Sequence, residues 1–408
     1  MSKIIKQKRY GAAVPMALIA IMILLVMGIG LLSLGMNRRI YAARTSSVIA
    51  ARCAADSGLA MALFQMNDSL QTKPWKLDAL PEATDVKLPY FDALCSYEVT
   101  GDLSGGYVAA STGKFGSARR AVSANLELKG LFDHAVLTRA DLILKSGTNL
   151  NAYNSADPLD SNTDADIATQ SIAESAITLN SGVSVSGDVR VGRGGDPDSV
   201  IKDLGADVGG WKYAMPENER FPEIEVPVLF DSGTDINAKG STVTITPADS
   251  GIYTDIALKS TGAPGMLLIR DGDVELHVTG DINLGNSCEI VVEDGSTLKL
   301  YVDGNVDCDN GSSIWAEDSS KSAKALTLYA TGDGLQDFDL KAKNNWVGTV
   351  YAPNADVTLY AGGDIYGAII ANNFELKSGG DYHYDRALKN VSPDDEGVRF
   401  VLTKWNEK

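Results

Sequence analysis

Histidine and cysteine are scarce in this 408-residue sequence. The three histidines, His134, His277 and His383, lie far apart, and the four cysteines, Cys53, Cys95, Cys288 and Cys308, form no C-x-x-C pair. Zinc-ribbon and thioredoxin-type readings therefore have no support, and spacing points to no metal or cofactor site. Acids outnumber basic residues over the chain as a whole, but not in the first eleven positions. Lys3, Lys6, Lys8 and Arg9 stand there without an acid, so the net charge of −17 leaves −21 on residues 12–408. An acidic body excludes nucleic acid as a partner, because phosphate binding needs a basic footprint. Charged residues make up only 22% and glycine reaches 40 residues, which suits strands and tight turns more than helical bundles.

What the opening segment has is a long apolar run. Ala12 to Gly35 carries no charge. The run is long enough to span a bilayer as a helix and too long for an ordinary signal-peptide core. Four basic residues precede it, against Arg38 and Arg39 just after it, which places the N-terminus inside and the acidic body outside. "RRIYAARTSSVIAARCAADSGLAMALFQM" continues without proline, so one helix is predicted over about residues 12–66. A plain single-span anchor and a segment that also packs against other subunits both fit this pattern.

The basic leader ending in Gly11, the long apolar helix and "AADSGL" (Ala54–Leu59) together resemble a type IV pilin-like protein of the PilX-like class, found among minor pilins and pilus-assembly proteins. That resemblance implies cleavage by a prepilin peptidase between Gly11 and Ala12, with methylation of the new N-terminus. It also implies other pilin-like subunits and the pilus machinery as partners. Main pilins carry Glu at the fifth mature position. Here it is Met16, which fits a low-copy or tip subunit. Pro15 falls in the first helical turn, where proline is tolerated.

Residues 68–90 hold Pro74, Pro81 and Pro89 and read as a loop or irregular crossover. "LCSYEVTGDL", "GGYVAASTGKFG" and "RRAVSANLELKG" follow as three antiparallel strands, giving a small sheet within residues 67–130. "STGKFG" lacks the spacing of a phosphate loop. From His134 to about residue 390, short alternating strands repeat between Gly, Asn and Asp corners. "GDINLGNSCEI" aligns with "GNVDCDNGSSI" at an offset of 24, with Ile282 on Val306 and Ile290 on Ile314. That period predicts a parallel β-helix over 134–390, with an antiparallel sandwich as the other arrangement of such strands. An irregular insertion is expected near 200–265, around "PENERFPEIEVPVL", and a tail over 391–408. The block Asn344–Leu388 resembles the β-helical domain of uncharacterised function that follows PilX-like N-termini. The predicted fold class is thus α+β, mostly β: a transmembrane helix, a pilin-like antiparallel sheet and a parallel solenoid.

No enzyme is expected. Asp333, Asp337 and Asp339 with Lys341 and Lys343, and Asp381 and Asp385 with His383, are the candidate catalytic groupings, and corner positions rich in Asp produce such groupings by default. Asp381, His383 and Asp385 alternate and are expected to share a strand face. "DSNTDAD" (Asp160–Asp166) resembles the start of a calcium loop, but Ala165 stands where glycine is required and Ser171 where glutamate is. In an exported protein the cysteines could pair as Cys288–Cys308 and Cys53–Cys95, or remain four buried thiols. The expected function is a minor or tip component of a pilus or pseudopilus. It would sit in the inner membrane and then reach the periplasm or cell exterior, displaying its head for adhesion, a glycan ligand or a protein partner. The alternatives are a membrane-anchored enzyme acting on surface polysaccharide and an unprocessed envelope scaffold.

Overall fold

The computed structural model describes residues 13–76, 79–89, 92–377 and 380–407. The leader 1–11 and the proposed cleavage pair Gly11 and Ala12 lie outside the described residues. The chain forms two compact units, Met1–Leu128 with Phe400–Lys408, and Lys129–Arg399.

In the first unit the apolar run and its Ala-rich continuation form one unbroken helix, α1 (Ala13–Ser69). Its 57 residues extend about 85 Å. Its N-terminal half is exposed, including Val14, Leu24, Leu32 and Tyr41, and is long and apolar enough to cross a membrane. The C-terminal third differs. Ala51, Ala54, Ala55, Gly58, Leu59, Ala62 and Met66 recur at helical spacing and are buried. The sheet begins with β1 (Glu82–Lys87), and the buried stripe packs on the two strands after it, β2 (Leu94–Asp102) and β3 (Gly106–Phe115). Small residues permit the close approach: a Cβ on Gly113 of β3 would lie 1.9 Å from the Ala51 carbonyl oxygen.

The sheet has five strands rather than the three expected. Besides β1, β2 and β3 it holds β4 (Ala118–Lys129), and Arg399–Glu407 closes the far edge. The expected tail at 391–408 is thus corrected over its last nine described residues. Phe400 is buried edge-on to Tyr107 at 5.6 Å. The Asn67 side chain donates to the Phe400 carbonyl (3.1 Å) and accepts from its amide (2.7 Å), acting as a strand neighbour. Phe400 alone of the nine is fully buried, so the strand carries no hydrophobic alternation to betray it.

The second unit is built from parallel pairing. Ile282 pairs with Val306 and Ile290 with Ile314, the offset of 24 read from sequence. Inward apolar residues line up along each ladder, as in Val274, Leu298 and Leu276, Leu300, Leu328, Val350. The corner acids do more than turn the chain locally. The Asp255 carboxylate accepts from the Asp281 amide, Asp281 from Asn305, and Asn305 from Asp337, each within 2.9 Å. Each corner side chain therefore satisfies a backbone donor of the next row. The glycine before the corner makes room: a Cβ on Gly304 would sit 2.5 Å from the Asp281 Oδ1.

The rows are not stacked in chain order. Ile365–Leu376 pairs with Val136–Thr138 and Leu142–Leu144, so the last rows of the chain lie against the first. The set 134–214 then extends onward from that seam, and residues 216–230 carry the chain back to begin the other set at Ile236–Lys239. The irregular insertion is therefore shorter than the expected 200–265, because Ile201–Asp203, Lys212–Ala214 and Ile256–Lys259 are all ladder strands. Those strands are only three or four residues long, too short for periodicity to show.

The returning segment is tied down by charge and aromatic contacts. Glu219 accepts from Lys129 (3.0 Å), lies 3.5 Å from Arg399, and stands 4.0 Å from the buried His134. Phe221 lies under Arg139, and the Tyr351 hydroxyl donates to the Pro222 carbonyl (2.6 Å). Burial, reinforced by Arg190, lowers the His134 pKa to about 4. The unfolded chain binds a proton at that histidine near pH 6.5 and the folded chain does not, so stability falls as pH drops through the window from 6.5 towards 4. Urea midpoints between pH 6.5 and 5 should decline by more in the native protein than in His134→Gln, on the order of 1–2 kcal/mol over that interval; equal slopes would remove His134 as the cause.

Candidate functional site

The seam between the two sets of rows gathers a cluster of titratable and aromatic side chains. "GGDIY" (Gly362–Tyr366) and "GGDYH" (Gly379–His383) are two copies of one pattern. Parallel pairing superposes them, with Ile365 on Tyr382 and Tyr366 on His383. Tyr382 in turn pairs with Leu150 and His383 with Asn151, on the strand Asn149–Tyr153. In Tyr382–Asp385, Tyr382 and Tyr384 point inward and donate to the carbonyls of Ala135 (2.9 Å) and Phe132 (2.6 Å). Burial raises both phenols well above their ordinary range. The alternate positions, Asp381 and His383, are left half-buried on the outer side.

There the His383 ring stacks on Tyr366 at 4.6 Å, with Tyr153 edge-on to both. His383 Nδ1 meets Asn151 Oδ1 at 2.6 Å, and its Nε2 lies 3.9 Å from Asp364 Oδ2. One donor atom each from Asp364, Asp381 and His383 falls within 4.8 Å of the others. Burial lowers the His383 pKa, with Asp364 and Asp381 opposing and Lys321 assisting. The imidazole is thus neutral at pH 7, and the short contact to the Asn151 carbonyl oxygen assigns its proton to Nδ1. Lys321 covers the Tyr366 ring, its Nζ 3.9 Å from the centroid, and donates to the Tyr366 hydroxyl, which itself reaches Asp364 Oδ2 at 3.3 Å. An open cleft of about 440 Å³, lined by Asp294, Trp315, Asp318 and Asn345 among others, adjoins through Lys321.

Asp385 does not join this group, although the alternation placed it on the same face. Its carboxylate is fully buried and accepts four hydrogen bonds, from the Ser155 amide and hydroxyl, the Ala323 amide and the Ala387 amide, all within 3.1 Å. It holds three separate chain segments together and has no solvent access. Sequence reasoning missed Asp364, Tyr366, Lys321 and Asn151, because each lies in another row of the chain; for Asp364 and Tyr366 the repeated G-G-D pattern was the signal, and for Lys321 and Asn151 there was none.

The other expected sites are dispersed. Asp337 is pushed up by burial and then by Asp339, Asp356 and Asp307, all on neighbouring rows. Asp339 pairs with Lys341 at 3.2 Å, while Lys341 also donates to the Cys308 carbonyl. Asp333 lies in the turn before Gln336–Ala342, and Lys343 follows that strand. Asp160 of the calcium-like stretch is engaged by Arg386 at 2.6 Å. Both expected disulfides are corrected: all four cysteines are free. Cys308 pairs with Leu284, while the Cys288 carbonyl accepts from Ser313, so the two thiols stand four register positions apart. Cys53 is exposed on α1, and Cys95 is buried beneath the face carrying Ala54 and Gly58. Burial pushes the Cys308 thiol up to about 12, which makes it inert.

Replacing Asp385 with Ala leaves the buried amides of Ala323 and Ala387 without an acceptor. The loss should be about 3 kcal/mol, at 1–3 kcal/mol per orphaned group, read from the urea midpoint. Asp385→Asn, which retains one acceptor oxygen, should lose less.

Residues 224–391 match the family model of a domain of unknown function (DUF7305). No curated protein matches the sequence. Among solved structures, the chain aligns with the crystal structure of the competence-associated pilin ComZ from Thermus thermophilus. The alignment is at 12% identity, over 89% of this chain and 97% of that one, with a TM-score of 0.26.

Proposed function

We propose that this protein is a type IV pilin-like, low-copy component of a pilus or pseudopilus. The observation that carries the reading is the division of labour along α1. Its exposed apolar half is built for lipid or for neighbouring helices, and its last third docks on an antiparallel sheet through small residues. In this reading the helix first sits in the inner membrane with its N-terminus inside. Prepilin peptidase cuts between Gly11 and Ala12, Ala12 is methylated, and the helix then packs among other pilin-like subunits. Met16, where main pilins carry a carboxylate, suits a subunit present in few copies. The parallel ladders, with their offset of 24, are read as a β-helical head displayed for adhesion or for a partner in the periplasm or outside the cell. No catalytic step is assigned. Mass spectrometry of the mature N-terminus should find a methylated chain beginning at Ala12, and Gly11→Ala should abolish it. Recovery of the intact Met1 form from mature envelopes would sink the proposal in favour of an unprocessed anchor or scaffold.

One observation favours a second reading, a membrane-anchored enzyme acting on surface polysaccharide. Asp337, with its raised pKa among Asp307, Asp339 and Asp356, has the environment of a general acid. Glycan-cleavage assays on the full chain should then detect turnover that Asp337→Asn lowers by at least about 100-fold. Absence of any cleavage across a panel of surface glycans rejects that reading.

A further inference from the structure

We propose that Asp364, Asp381 and His383 form a binding site for one divalent transition-metal ion of the Zn²⁺ class, which clamps the seam between the two sets of rows. The three ligand atoms converge within 4.8 Å, a span that fits a single coordination sphere.

Two further observations separate this cluster from a chance group of acids. The first is the tautomer of His383. Its Nδ1–H is committed to Asn151 Oδ1 at 2.6 Å, which leaves the Nε2 lone pair as the free position, 3.9 Å from Asp364 Oδ2. Metal-ligating histidines donate their other ring N–H to just such an acceptor, which fixes the ring and raises the basicity of the ligating nitrogen. Stacking on Tyr366 at 4.6 Å holds the same ring against rotation. The second is the state of the carboxylates. Among the described residues, the Asp381 carboxylate accepts no hydrogen bond, only its backbone carbonyl doing so from the Ile365 amide, and neither it nor the Asp364 carboxylate has a Lys or Arg within ion-pairing distance. Asp364 Oδ2 accepts only from the Tyr366 hydroxyl, at 3.3 Å. Two half-buried carboxylates and the ring nitrogen turned towards them converge on one point, an arrangement that favours a cation. The mixed nitrogen and oxygen donor set selects a transition metal over Ca²⁺, which requires six to eight oxygens.

The placement gives the ion a role. Asp364 precedes the strand Ile365–Leu376, while Asp381 and His383 flank Tyr382 on the row that pairs with Asn149–Tyr153. His383 is thereby joined through Asn151 to a segment 232 residues away in sequence. An ion there joins two of the last rows, and through Asn151 reaches the first, adding to the backbone pairing and to the Asp385, Tyr382 and Tyr384 hydrogen bonds that close the unit.

The test is isothermal titration of metal-stripped full-length protein in detergent with Zn²⁺, with Mn²⁺ and Ca²⁺ in parallel, and a thermal scan of each state. The expected result is one saturable Zn²⁺ per chain, tighter than Ca²⁺, with a raised melting temperature. His383→Ala and Asp381→Asn should each weaken Zn²⁺ binding by at least about 10-fold, and Asn151→Ala, a positioning change, by about 10-fold. Asp381→Asn removes no side-chain hydrogen bond to a described residue and keeps the fold testable if His383→Ala does not refold. Zn²⁺ binding unchanged in both ligand variants, a preference for Ca²⁺, or no saturable binding overturns the proposal. None of these outcomes bears on N-terminal processing, so the two proposals stand or fall separately.

Discussion

The backbone pairing of Ile369 with Val136 and of Phe374 with Leu142 is the constraint on which the larger unit depends. These bonds join the two ends of that unit's sequence, and they fix where every other row stands. The set 134–214 is seated on the last rows of the chain, so it cannot be completed until the chain has been threaded back and run through 236–376. Pairing of such low locality carries a large loop-closure cost and folds slowly. The groups gathered at the seam answer that cost. Buried Asp385 draws together segments at 155, 323 and 387, the inward tyrosines 382 and 384 reach back to 135 and 132, and Tyr366 stacks on His383.

The corner chemistry extends the same logic along each ladder. An Asp or Asn at a corner accepts from the backbone of the next row, and the glycine beside it leaves space for that oxygen. Register is thus specified twice, by apolar side chains facing inward and by carboxylates and amides at the corners. A slip of one residue would place apolar groups outside and leave buried amides without acceptors. The smaller unit solves a different problem with different means. The exposed half of α1 is uncharged and predominantly apolar up to Gly35, while its last third carries a narrow stripe of Ala and Gly that lets β3 approach within van der Waals range.

Much of this was legible in the sequence because it is periodic. The uncharged run from Ala12 to Gly35 read as a helix long enough for a membrane, and the helix continues to Ser69. The offset of 24 predicted the pairing of Ile282 with Val306. What escaped notice lacks a period or is shared by distant residues. The edge strand Arg399–Glu407 buries only Phe400 fully, and its place is set by Asn67, so nothing within its nine residues marks it. The expected disulfides failed because an offset measured along the chain ignores the side of the row. Cys308 lies over Leu284, and Cys288 four positions further on. The site at His383 lay hidden in plain repetition: "GGDIY" and "GGDYH" differ by one row, and only their pairing brings Asp364 to Asp381.

The sequence by itself determined the elements: the long apolar helix, the strands that follow it, and the short strands with Gly-Asx corners. Each follows from local spacing of apolar and conformationally special residues, which acts over a few positions and needs no knowledge of partners. The tertiary structure decided their order in space. It placed the last rows of the chain against the first, made a strand of the tail, left the four thiols apart, and separated buried Asp385 from the half-buried group of Asp364, Asp381 and His383. These outcomes depend on which distant backbones pair. Parallel hydrogen bonding is the same for any two extended strands, so only the fit of side chains across the completed seam selects among the possibilities.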